Sequence, residues 1–327
     1  MRGAVEVGRI SRHISASRVA VAARSGVSRF NDRKRIWNIT ARHEAGHLPE
    51  RRRMTVLNVL SLGAGVQSSV MALMAAHGEL PIPDCAIFAD TQWEPQGVYD
   101  HLDWLQSVIT NPLLVGNTFP IYRVTAGNIY EDAISGVNST GTAFATLPFF
   151  SLGNVMARRQ CTNEYKIKPI RQKIRSLLGL KKGQRVPKDK SVKQWIGIST
   201  DEASRMKPSR DKWCENIFPL IEKQMSRRDC MTWFEKRYPG RVLAKSACKG
   251  CPFNDDKRWR DMKLNQPNDF AEVVNFDEKI RKPRNNFDRE FFIHSSRQPL
   301  SKVDFRNLED KGQINMFENE CEGMCGV

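Results

Sequence analysis

Two cysteine pairs stand out by their spacing: Cys248-Lys249-Gly250-Cys251-Pro252, and Cys321 with Cys325 in Glu320-Cys321-Glu322-Gly323-Met324-Cys325. A Cys-x-x-Cys turn with glycine inside brings two thiolates to one metal ion or one cluster face. Four thiolates from two short loops would complete a zinc site or a [4Fe–4S] cluster. Cys161 is a substitute ligand, which would leave Cys325 free. A tail thiol has a rival use, because an exposed thiol of lowered pKa could attack a sulfonyl group. Cys85 falls in an apolar run and Cys230 lies beside Trp233 and Phe234, so both read as packing, while Cys214 is open. His43-Glu44-Ala45-Gly46-His47 matches the zinc-protease pattern H-E-x-x-H. Gly46 inside it and Pro49 after it argue against the helix that chemistry needs, so it reads as chance.

A second group of residues suits an anion. Ser61-Leu62-Gly63-Ala64-Gly65-Val66-Gln67-Ser68-Ser69 follows an apolar run. Small residues between a buried strand and a helix let backbone N–H groups approach phosphate, and the helix dipole adds positive potential. Ser68 and Ser69 can add hydroxyls. No Gly-Lys-Ser/Thr follows, so this is not a Walker A loop, and a mere tight turn would look the same. Asp90 and Thr91 end the next apolar run; Asp90 could hold adenosine or a metal, or cap a helix. Arg158, Arg159 and Lys166 supply charge for phosphate or sulfate, with arginine able to bind bidentately. The bland reading is a solvated basic surface. Asp201, Glu202 and Arg205 follow a strand end, where they suit either a ligand-facing loop or a surface ion pair.

The elements that must position these residues alternate. Apolar runs at 56–60, 85–89, 120–124 and 194–198 read as buried strands. Between them, Val70, Leu73 and Met74, then Val98, Leu102, Leu105, Val108 and Ile109, and then Ile167, Ile170, Ile174, Leu177 and Leu178 mark helical stripes. A short helix begins near Asn128. Residues 135–155 are rich in Gly, Ser and Thr and read as an active-site loop, and residues 181–193 as a basic loop. This order predicts a parallel sheet with helices on both faces. After residue 210 strand signals stop, and 227–238 and 256–281 read as helices. The expected organisation is a basic extension over 1–53, a nucleotide-binding domain over 54–210 and a smaller helical, cysteine-bearing domain over 211–327.

Composition narrows the class. The chain has 327 residues, with 40% hydrophobic and 27% charged residues, which is a globular balance. No apolar run approaches the ~20 residues that span a bilayer, so no membrane partner and a cytoplasmic location are expected. The net charge of +16 suggests anionic partners, but residues 1–53 alone hold 13 Lys and Arg against 4 acids. That segment could be a basic arm for nucleic acid or a presequence. The favoured expectation is that Met54 is the natural start, so no function is built on it.

The loop at 63–68 resembles the PP-loop of the ATP-pyrophosphatase superfamily, Ser-Gly-Gly-x-Asp-Ser, with Gly63 in place of the first Ser and Gln67 in place of the Asp. Phe88-Ala89-Asp90-Thr91-Gln92-Trp93-Glu94-Pro95 is similar to the Asp-Thr segment of that superfamily's phosphoadenosine phosphosulfate (PAPS) reductase branch. Cys161-Thr162-Asn163-Glu164-Tyr165-Lys166-Ile167-Lys168-Pro169-Ile170 resembles its Cys-Thr-x-x-Leu-Lys-x-x-Pro segment. Gly197-Ile198-Ser199-Thr200-Asp201-Glu202-Ala203-Ser204-Arg205 resembles its Gly-x-x-x-Asp-Glu-x-x-Arg segment. A DNA-phosphorothioation sulfurtransferase of this branch also carries an iron–sulfur cluster.

The resemblance implies an α/β doubly wound, adenine nucleotide alpha hydrolase-like fold binding ATP or PAPS, with Mg²⁺. It implies adenylation of an acceptor with pyrophosphate release, or sulfur transfer, with nucleic acid as a candidate acceptor and a sulfur donor or partner protein. Catalytic roles fall on Ser68, Arg159 and Lys166. Nucleotide contacts fall on Ser61, Gly63, Ala64, Gly65, Gln67, Ser68, Ser69, Asp90, Thr91, Arg158, Arg159, Lys166, Asp201, Glu202 and Arg205. The metal ligands would be Cys248, Cys251, Cys321 and Cys325, with Cys161 in reserve and a [4Fe–4S] cluster ahead of zinc. One alternative is a PAPS reductase using a tail thiol, which would release sulfite without cleaving ATP. The other is an inactive nucleotide- or nucleic-acid-binding module, favoured by the uncharged Gln67.

Overall fold

The computed structural model describes residues 55–137, 141, 147–153, 155–243, 246–281 and 290–305. Residues 1–53 with the His43–His47 motif, parts of the 135–155 loop, and the tail with Cys321 and Cys325 lie outside these.

Five strands form an all-parallel sheet of order β3-β2-β1-β6-β7. β1 (Thr55–Leu62) leads into helix α1 (Val66–Ala76), and β2 (Cys85–Asp90) into α2 (Gln96–Ile109). β3 (Ile121–Thr125) precedes α3 (Ile129–Ser135), whose first turn is capped by the Asn128 side chain accepting from the Tyr130 and Glu131 amides. β4 (Phe150–Ser151) and β5 (Val155–Met156) follow, then a π-helical segment (Thr162–Ile167) that runs directly into α4 (Lys168–Leu177). β6 (Lys190–Trp195) returns to the sheet beside β1, and a 3₁₀ segment (Thr200–Arg205) leads to β7 (Cys214–Ile217).

Period-two alternation splits the core across this sheet. On one face Leu60, Leu62, Ala86, Phe88 and Trp195 pack with α1, α2, Cys230 and Phe234. On the other, Val59, Cys85, Ile87, Ala89 and Val192 pack under Ile170 and Ile174 of α4. Both faces are covered where β1 and β2 cross the core, so β2 and the second half of β1 are buried almost throughout. The architecture is α/β, with helices flanking a parallel sheet, and it is compatible with a doubly wound fold.

Two expectations are corrected. Strands do not stop at residue 210, because β7 pairs in parallel with β6. The strand expected at 194–198 begins earlier, at Lys190, inside the segment read as a basic loop. Its lone buried polar residue explains the miss: Gln194 donates to Ser61 Oγ at 2.7 Å and accepts from Cys214 Sγ at 3.4 Å, so it is satisfied between neighbouring strands.

The chain continues through α5 (Pro219–Glu222) and α6 (Arg227–Arg237). Ser226 and Asp229 form a reciprocal capping box at the start of α6. The helix expected over 256–281 is two helices, α7 (Asp256–Asn265) and α8 (Pro267–Lys279), divided at Pro267. β8 (Phe291–Phe292) pairs with β4. A second core gathers here, with Trp93, Tyr165, Cys248, Trp259, Phe276 and Ile293 at its centre.

Candidate functional site

The strand order reverses at β1, with β2 on one side and β6 on the other. In open parallel sheets the crevice beyond the carboxyl ends at such a point is where ligands bind. The loops after β1 and β6 meet there. A Cβ placed on Gly197 would sit 3.0 Å from the Ser68 amide nitrogen and 3.2 Å from its Cα. Only glycine allows the two backbones this approach.

Within the first loop the Gly63 amide donates to Ser68 Oγ at 3.1 Å. The left-handed residue is Ala64, at φ 55°, rather than either flanking glycine. It is fully buried, and holding an alanine there costs about 1 kcal/mol. α1 has no side-chain cap and no acidic residue in its first turn. Ser61, Gln67, Ser68 and Ser69 are all buried.

Gln67 joins this loop to the 199–205 segment. Its Nε2 donates to Ser199 Oγ and Glu202 Oε2, both at 3.3 Å, and its Oε1 accepts from Arg227 at 3.4 Å. Glu202 is buried and paired with Arg205 at 2.7 Å. Burial raises the Glu202 carboxyl above its usual range, against the pull of Arg205. Asp201 is exposed; hydrogen bonds from the Ser199 side chain and the Arg227 amide overcome desolvation and hold its carboxyl below the usual range. Asp201 and Arg227 line a cleft of about 690 Å³ together with Pro95, Val98, Arg258 and Met262. That volume lies in the usual range for small-molecule sites.

β2 delivers the second set. Asp90 Oδ1 accepts from the Gln92 amide at 2.7 Å and from Tyr99 OH at 2.9 Å, so the carboxylate closes a turn and steadies α2. The α2 N-cap is Pro95, so Asp90 does not cap that helix. Thr91 Oγ1 donates to Glu94 Oε1 at 3.1 Å and lies 3.4 Å from Cys248 Sγ. Cys248 Sγ donates to the same Glu94 oxygen at 3.6 Å, and Lys166 Nζ approaches it at 3.7 Å. Glu94 is 2% exposed, and its Oε2 has no hydrogen-bond partner among the described residues.

Arg159, Cys161, Lys166, Cys248 and Cys251 line one void of about 20 Å³ below Thr91. The Cys248 thiol is held well above its usual range, by burial first and the Glu94 charge second, with Lys166 opposing. Among the described residues no three His, Cys, Asp or Glu side chains are gathered as a metal site. The void has room for about one water-sized body, so a cluster would need the thiols to move apart. Thiols are soft donors of the kind zinc and iron–sulfur clusters take, but Cys161, Cys248 and Cys251 share only the lining of this void.

The remaining expected positions fall elsewhere. Arg158 is exposed and outside both groups. Ser61 is engaged by Gln194 within the sheet. Cys85, Cys214 and Cys230 are buried, with thiols raised by desolvation to about 12, 11 and 12. Sequence reasoning missed Glu94 and Arg227 as site residues. Glu94 sat inside a quoted segment without a role, and nothing local marks Arg227.

It also missed His101, which accepts from or donates to Ser69 Oγ at 2.9 Å under the loop. Burial first and Arg241 second lower its pKa to about 4. The folded state therefore keeps the imidazole neutral while the unfolded chain takes up a proton below about pH 6.5. Stability is full above that pH and declines as pH falls toward 4, by about 3 kcal/mol for this group. Urea unfolding at pH 7 and pH 5 should show the loss, and His101→Gln should remove most of the difference. An unchanged pH dependence in the variant would refute the assignment.

No helix among the described residues is long and apolar enough to cross a membrane. In comparisons with family models, curated proteins and solved structures, the chain matches none of them.

Proposed function

We propose that the chain is an adenine-nucleotide enzyme of the PP-loop type, close in chemistry to the PAPS reductase branch. It would cleave ATP between the α- and β-phosphates, adenylate an acceptor and release pyrophosphate, or transfer sulfur from an activated donor. One observation carries this reading. Three of the four resembling segments lie at one end of one parallel sheet: the glycine loop, the Asp90–Pro95 turn and the Ser199–Arg205 segment follow β1, β2 and β6. The fourth, which carries Lys166, meets the second of these at Glu94.

In this reading the loop amides and Ser68 hold the departing pyrophosphate. Arg159 and Lys166 neutralise charge that grows on it as the acceptor attacks the α-phosphorus and the phosphoanhydride bond breaks. Gln67 is not a charged metal partner. Asp201, which lines the cleft together with Asp255 and Asp261, is a carboxylate that could serve Mg²⁺. Cys161, Cys248 and Cys251, with a tail cysteine, would hold an iron–sulfur cluster that stores or relays sulfur, or a structural metal. Nucleic acid is the preferred acceptor.

Anaerobic purification with iron and sulfide analysis, followed by labelled ATP with candidate acceptors, tests this. Iron in the protein and acceptor-dependent pyrophosphate are expected. Release of sulfite from PAPS with ATP left intact would instead identify the reductase. The complete engagement of the Gln67 amide favours a second reading, a module that binds nucleotide without turnover. Iron-free protein that leaves ATP intact with every acceptor would overturn the main reading in favour of that module.

A further inference from the structure

The opposite edge of the sheet holds a surface that the nucleotide reading does not use. Between the end of α4, the segment entering β6 and the residues before β7 runs a groove of about 1060 Å³. Arg175, Arg185, Lys188, Lys190 and Lys212 line it with Trp213, and no carboxylate does. Arg175 donates to the Gln184 carbonyl and Lys190 to the Leu178 carbonyl, so neutral backbone groups hold both cations, and among the described residues neither has an ion-pair partner. Arg185, Lys188 and Lys212 are exposed, and among the described residues none of the three has an ion-pair partner. Asp211, the acid beside Lys212, is taken up by Arg171. Lys181 and Lys182, just before the lining segment in sequence, are exposed as well.

We propose that this groove binds the phosphate backbone of a nucleic acid, without reading its sequence. The five cations come from three separate segments, the end of α4, the chain entering β6 and the residues before β7, which suits a repeating anion better than a single phosphate. None of the exposed large apolar side chains lines it, and Trp213 is half-buried, so there is no wedge for a lipid surface. Lys190 and Ser191 at the start of β6 line the groove and Trp195 ends the strand, so about 13 Å of strand separates the groove from the nucleotide edge. It would therefore hold the polymer at a distance from the reacting end. This extends the preference for a nucleic-acid acceptor. Binding is measured without ATP, so its outcome is separate from that of pyrophosphate release.

The test is fluorescence anisotropy of the full chain with a labelled single-stranded oligonucleotide and its duplex, between 50 and 200 mM salt. The comparison is with Arg185→Glu/Lys188→Glu/Lys212→Glu, whose exposed positions should leave thermal unfolding unchanged. The wild-type chain should bind, with affinity falling steeply with salt. The variant should reduce the slope of log K against log salt by about 2 to 3 and weaken binding about 100-fold at the lowest salt. Three results would overturn the proposal. The variant slope could equal that of wild type. The slope could vanish only with Arg51→Glu/Arg52→Glu/Arg53→Glu. Or the groove variant could abolish binding to phosphatidylserine vesicles while oligonucleotide binding is unaffected.

Discussion

Lys166→Met should lower acceptor-dependent pyrophosphate release by about 10²- to 10³-fold, the usual cost of removing one positioned charge from a developing anion. It should also destabilise the protein, and the two effects can be separated. The Lys166 ammonium lies 3.7 Å from Glu94 Oε1, with 12% of the lysine side chain and 1% of the glutamate side chain exposed. Methionine keeps much of the aliphatic length and removes the charge, which leaves a buried carboxylate without its cation. Breaking such a pair from one side costs about 3–5 kcal/mol.

Lys166→Met/Glu94→Gln removes both charges. Glutamine can still accept from Thr91 and Cys248, the two donors that meet Glu94 Oε1 at 3.1 and 3.6 Å. The double variant should therefore regain most of the lost stability in urea unfolding while its turnover stays low. If turnover returned together with stability, Lys166 would be a structural counter-ion and its proposed role at the phosphate would be wrong.

The central sheet was legible where burial is two-sided. Residues 59–60 and 85–89 are apolar because helices cover both of their faces, and the small residues after β1 announced a tight turn. Elsewhere tertiary contacts overrode local pattern. β6 reads Lys-Ser-Val-Lys-Gln-Trp, which looks like the tail of a basic loop; its pairing with β1 on one side and β7 on the other, with Gln194 bonded to both, makes it a strand. β7 buries only Cys214 of its four residues, so no alternation announces it. The glycine loop was read correctly as a loop, but its left-handed position falls on Ala64, which no propensity rule would select. Glu94 was invisible for a different reason. A lone carboxylate after a strand reads as solvated, and its burial depends on Cys248, which is 154 positions away. Cys161 lines the same void as Cys248 and Cys251, a tertiary contact about which spacing in sequence carries no information.

Gly250→Ala should loosen the Cys248–Cys251 turn from the end of β2. A Cβ at Gly250 would lie 2.1 Å from Trp93 Cη2 and 2.8 Å from Cζ3. No positive φ is involved, so glycine is needed here for space and not for backbone conformation. The indole cannot step aside. Its Nε1 donates to Glu272 at 2.6 Å, and the rings of Phe276 and Tyr130 stand 4.4 and 5.2 Å from its centroid. The turn is fixed from its other side as well, since the Lys249 amide donates to the Trp93 carbonyl at 3.0 Å and Lys249 Nζ is held by Asp269 and Glu272. Overpacking of this kind costs about 1–3 kcal/mol, and here it acts on the loop that carries two of the proposed thiolate ligands. Thermal unfolding should shift down by several degrees, and iron per chain should fall in protein purified without oxygen. Trp93→Phe removes the ring atoms that the new methyl meets, so the added cost of Gly250→Ala should largely disappear in that background. Simple additivity of the two changes would mean that the contact does not exist as described. A Gly250→Ala protein with wild-type unfolding but reduced iron would place the effect on the metal centre alone and contradict the docking of this turn on Trp93.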